Sequence, residues 1–144
     1  MSFQSARAID QISEDARDGA QPVGKLSQIS EQGRVVVTLF RRSDALRGPS
    51  DLGKVFDQMM LVFARHARRP LVSHGMRCDC LGADEAVLAQ FVNLAARGKR
   101  EDATLMAMLM LRADIAPLAV SMAEQLGLLI DATLRTDPRA MMVH

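Results

Sequence analysis

The chain has 144 residues, a net charge of +1, an apolar fraction of 49% and a charged fraction of 24%. These values describe one globular domain, long enough to bury a core without a disulfide or a metal. A charge this close to zero gives no global field for nucleic acid or anionic membrane. Five Phe with no Tyr or Trp leave few stacking platforms for a single strand.

The N-terminus, MSFQSARAIDQISED, carries acids early and no apolar stretch, so it does not read as a secretory signal. The longest uninterrupted apolar run, at 105–111, is far too short to span a bilayer. A cytoplasmic protein with no membrane partner is expected, and in that compartment Cys78 and Cys80 would be reduced.

In chain order, residues 1–22 form an N-terminal segment in which Phe3, Ile9, Ile12 and Ala16 allow a short helix or partial disorder. Val23, Leu26, Ile29, Val36 and Phe40 fit a further helix interrupted by Gly33. The β-branched run Val35, Val36, Val37 and Thr38 would also suit a strand over 35–40. A lone strand would find no partner elsewhere, so helix is expected there.

Ser50 or Asp51 can cap a helix running to about Arg68, with Leu52, Val55, Phe56, Met59, Met60, Phe63 and Ala67 at helical spacing. Pro70 ends it, and Arg65, Arg68 and Arg69 would complement its dipole. A glycine-punctuated connection follows at 70–82. The next helix opens near 83–85 and closes at Gly98. After it comes a helix over about 100–112, apolar on every side and suited to a core centre or a subunit interface. Asp114 can cap a long last helix whose stripe runs from Ile115 to Leu134. Residues 136–144 read as a flexible tail.

The expected fold is therefore all-α, a compact helical bundle of four to six helices with its main body at 23–135.

One segment concentrates chemistry. His66, His74, Cys78 and Cys80 lie within fifteen residues, and two thiols with two imidazoles form a tetrahedral zinc ligand set. With Met76 the set would also suit copper(I). The spacing differs from the usual C-x2-C, and as ordinary connection residues these side chains would need no metal.

The same cysteines allow thiol redox chemistry. Cys80 sits just before a helix N-terminus with Arg77 near, and both would lower a thiol pKa. A Cys78–Cys80 disulfide would close a very small ring and be easily reduced. Cys78 with His74 as base is a looser alternative, because spacing alone says nothing of geometry.

The basic residues Arg41, Arg42, Arg65, Arg68, Arg69 and Arg77 could touch phosphate, but dipole complementation and a solvated face explain them as well. The acid pairs Asp84-Glu85 and Glu101-Asp102 open helices and need no catalytic role. No nucleotide-binding loop, zinc-protease, EF-hand or hydrolase-elbow motif is present. The function expected from these observations is a non-catalytic helical interaction module that forms a homo-oligomer. The alternatives are a small zinc or copper domain, or a thiol-redox protein.

Overall fold

A computed structural model describes residues 18–42 and 51–136. Among them the chain is a helical bundle with one small sheet. Strand β1 is Pro22–Lys25, followed by a single 3-10 turn at Leu26–Gln28. The helices are α1 at Glu31–Arg41, α2 at Asp51–His66, α3 at Ala83–Ala96, α4 at Arg100–Met110 and α5 at Ala116–Thr136. Strand β2, Cys80–Gly82, directly precedes α3.

Of the expected N-terminal helix only 18–20 is described, and it is helical; the rest of it, the Ser50 cap and the tail beyond Thr136 lie outside the described residues. Helix prevails over strand at 35–40, but it starts later than the apolar spacing suggested. Ser30 caps α1 by accepting from the Gly33 amide at 3.1 Å, so Gly33 lies in the first turn instead of interrupting the helix. Val23 falls in β1 and Leu26 in the 3-10 turn.

The sheet was not expected. β1 and β2 pair antiparallel, with Lys25 opposite Cys80 and Pro22 opposite Gly82. The strand that finds a partner is 22–25, and its partner lies more than fifty residues along the chain.

Helix α3 is the centre of the bundle and packs against α1, α4 and α5, while α2 packs on α5. Leu88, Phe91, Val92 and Ala95 are fully buried on it. Phe91 meets Phe63 of α2 edge to face, with ring centroids 6.2 Å apart. Helix α5 approaches α3 closely because Ala116, Ala119, Ala123 and Gly127 leave its inner face nearly flat. A Cβ on Gly127 would collide with that of Ala96 and lie 3.3 Å from the Val92 carbonyl.

The ends of α2 and α4 are joined by a short backbone bridge. The Arg68 amide donates to the Met110 carbonyl at 2.9 Å and the Arg112 amide to the His66 carbonyl at 3.3 Å. The Arg68 side chain also donates to the Met108 carbonyl at 2.8 Å, so this cation satisfies the end of α4. Helix α4 itself is not central. Ala103, Ala107 and Met110 face inward, whereas Leu105 and Leu109 face out.

Candidate functional site

Leaving α2, the connection crosses the N-terminal end of α3, where two buried carboxylates hold it. Asp84 accepts two hydrogen bonds from the Arg69 guanidinium, at 2.8 and 2.6 Å, and one from the Val72 amide at 2.8 Å. Glu85 accepts from Arg41 at 2.6 and 3.0 Å, from the Gly82 amide at 2.9 Å and from the His74 amide at 3.2 Å. The Arg41 and Glu85 side chains are 1% and 0% exposed, so this is a dry ion pair in which each carboxylate oxygen accepts twice. Burial pushes the Glu85 carboxyl up. Arg41 and the two amides outweigh that and hold it below the usual carboxylate range.

Arg41 also donates to the Cys78 carbonyl at 2.7 Å and the Cys80 carbonyl at 2.8 Å. One guanidinium thus fixes the backbone on both sides of Asp79 and grips Glu85. The acid pair at the head of α3 is therefore not explained by helix-dipole complementation alone: it anchors the cysteine segment. Arg41 and Arg69 are engaged in internal ion pairs, not arrayed toward a phosphate.

On this frame His74 and Cys78 meet. The Cys78 Sγ lies 3.6 Å from His74 Nδ1. On its other side His74 Nε2 lies 2.6 Å from the Ala20 carbonyl. A carbonyl only accepts, so Nε2 carries hydrogen and Nδ1 faces the sulfur. In the neutral ring Nδ1 accepts from the thiol; in the charged ring it donates to a thiolate. Gly82 lets the imidazole settle here, because a Cβ at that position would stand 2.9 Å from Nε2.

The hydrogen bond to Ala20 raises the His74 pKa, and the contact with Cys78 adds to it. The Cys78 thiol is lowered, first by His74 and then by the Cys80 amide. Cys80 moves the opposite way, raised by its side-chain hydrogen bond to Cys78 and by the negative charge there. The expectation that Cys80 would be the acidified thiol is thus reversed. The end of α3 that would have lowered it is capped by the Glu85 carboxylate, and Asp79 stands beside it.

Four sequence candidates, His66, His74, Cys78 and Cys80, do not converge as a ligand set. Among the described residues no group of three or more His, Cys, Asp or Glu is placed to hold a metal ion. His66 ends α2 beside α4, with its Nδ1 buried and unpartnered. Beyond it the chain runs to the head of α3, where the Val72 and His74 amides donate to Asp84 and Glu85. The pair brought together is His74 with Cys78, and Cys80 is the second thiol. Both cysteines are free, Cys78 half-buried and Cys80 exposed.

Ala20, which contributes only a carbonyl, carries no sequence signal, and Arg41 and Glu85 stand out in the sequence only as a basic residue and a helix-opening acid, because their roles here depend on partners far along the chain. In comparisons with known proteins, the chain matches no family model, no curated protein and no solved structure.

Proposed function

We propose that the protein acts as a thiol-based redox module, with Cys78 as the reacting thiol and Cys80 as the resolving one. The observation that carries this reading is the 3.6 Å approach of Cys78 Sγ to a histidine whose other nitrogen is held by a carbonyl. A thiol, an imidazole and an orienting acceptor form the general arrangement of an activated nucleophile. The second thiol two residues away favours disulfide chemistry over acyl transfer.

The substrate class is a low-molecular-weight or protein disulfide. The Cys78 thiolate attacks one sulfur and forms a mixed disulfide. The other sulfur leaves as a thiolate and takes the His74 proton. Cys80 then loses its proton to the imidazole and attacks the Cys78 sulfur. The second substrate thiolate departs and is protonated. The protein has given up two electrons and two protons to make the Cys78–Cys80 disulfide, and the substrate has become two thiols. The small ring makes this disulfide easily reduced again.

The test is alkylation of Cys78 against pH in a Cys80→Ser background, followed by mass spectrometry of the parent chain treated with glutathione disulfide. Cys78 should react with a midpoint below the ordinary thiol value of about 8.5, and His74→Ala should return it there. The parent should lose two hydrogen masses on oxidation. A Cys78 midpoint at the ordinary value, unmoved by His74→Ala, would falsify the proposal, as would mixed disulfides that never resolve to the intramolecular form.

A further inference from the structure

Helix α4 turns Ala103 and Ala107 to the core, both fully buried, and the packing does not account for its opposite face. That face carries Asp102, Leu105 and Leu109, with Arg112 following just beyond the helix end, and all four are exposed. Leu105 and Leu109 are 64% and 67% exposed, among the most exposed apolar side chains described. Within α4, Asp102, Leu105 and Leu109 fall in a stripe about 60° wide at 3.6 residues per turn. Along the chain the order is acid, leucine, leucine, base: Leu111 leaves the helix extended with its side chain buried, and Arg112 is exposed just past the end of the stripe.

This order is its own complement under a two-fold rotation. With the axis at the level of residue 107, Leu105 of one copy meets Leu109 of the other, and Asp102 meets Arg112, each pair occurring twice. A closed two-fold interface requires such a self-complementary patch. The cation needed is available at little cost. Arg112 contacts Asp114 at 2.9 Å, but the side chains are 62% and 61% exposed, and an ion pair that open to water contributes little.

We propose that this face of α4 is a self-association surface on which a second copy packs antiparallel. The leucines supply the buried contact, and the Asp102–Arg112 pairs select the antiparallel register. An anionic lipid surface is a poorer occupant, since Glu101 and Asp102 stand at one end of the stripe. The proposal is independent of the cysteine site, and its test removes the thiols.

In a Cys78→Ser, Cys80→Ser background, sedimentation equilibrium of the full chain should show a monomer–dimer equilibrium. Leu105→Glu and Leu109→Glu should each weaken it at least tenfold with unchanged circular dichroism, because neither side chain belongs to the core. For the register, Leu105→Cys chains mixed with Leu109→Cys chains should form disulfide-linked mixed dimers faster than either variant links to itself. A monomer up to about 1 mM, the weak end of measurable association, overturns the proposal. So does a dimer indifferent to both leucine substitutions. Faster self-linking than mixed linking overturns the antiparallel register.

Discussion

Helices α3 and α4 both open with adjacent acids, Asp84-Glu85 and Glu101-Asp102, and the two pairs have opposite fates. The first is buried, and Arg69 and Arg41 each give one acid a two-pronged ion pair. The second is exposed. Helix-dipole complementation accounts for either pair in isolation. What separates them is whether the rest of the chain brings a guanidinium to the same place. Arg41 ends α1 and Arg69 follows α2, and both of those ends arrive at the head of α3. A local pattern thus states that a carboxylate suits a helix N-terminus, but not whether it also carries tertiary structure.

Removing one acid from each pair should give the largest difference between them. Glu85→Ala leaves the Arg41 guanidinium buried without its partner, which costs about 3–5 kcal/mol. Thermal unfolding should show a correspondingly large fall in Tm. The acid limb carries a second signature. The Glu85 carboxyl is lowered in the fold, so its stabilisation is present above the unfolded value of about 4.3 and is lost as pH falls through the folded value. The unfolded state binds more protons in that window, so stability rises with pH there. Glu85→Gln should flatten this part of the stability curve, and an unchanged acid slope would show that another carboxylate governs it.

Asp84→Asn comes next. Arg69 is 30% exposed on its side chain and can turn to water, so the expected cost is about 1–3 kcal/mol, mainly from the weakened bonds to Arg69 and the Val72 amide. Hydrogen exchange should localise the loosening to residues near Val72, leaving α4 protected as before. Loosening spread evenly over the bundle would contradict the anchoring role given to this acid.

Gly127→Ala tests the packing of α5 against the C-terminal end of α3. Alanine is the better helix former by about 1 kcal/mol, yet its Cβ would meet Ala96 and crowd the Val92 carbonyl. Neither neighbour is the end of a flexible side chain, so overpacking should win, with a net loss of about 1–3 kcal/mol in denaturant unfolding. A gain in stability would mean that α5 can draw away from α3 at little cost.

The same contrast between local pattern and tertiary placement explains which features are legible in the sequence. Helices α2 to α5 were readable because Leu52, Phe56, Met59 and Phe63, and likewise Ala119, Met122, Leu126 and Ile130, recur at the helical period over several turns. β1 and β2 were not, since a strand of three or four residues has almost no period and its partner is remote. The concentration of His74, Cys78 and Cys80 was visible, because they are close in sequence. Their chemistry was not, since it depends on the Ala20 carbonyl and on Arg41 gripping the carbonyls of Cys78 and Cys80. His66 is near them only along the chain: its carbonyl meets the Arg112 amide beside α4, whereas His74 is held at the head of α3. The all-round apolar character of α4 was legible, but not which leucines would face out.

Glu101→Ala should have the smallest effect on the fold, and that smallness is the other half of the comparison. The side chain is exposed, so its loss should change monomer stability by no more than about 0.5 kcal/mol. Glu101 nevertheless lies beside Asp102 at the acidic end of the α4 stripe. If two copies pair there, its removal reduces the field acting on the partner's Arg112, and the dissociation constant should rise modestly, more at low salt than at high. Unfolding at a concentration too low for dimers, set beside sedimentation at two ionic strengths, separates the two effects. A stability loss approaching that of Glu85→Ala would mean the acids at the two helix heads differ less than their burial implies. A salt-dependent change in association alone would assign one pair to the fold and the other to the surface.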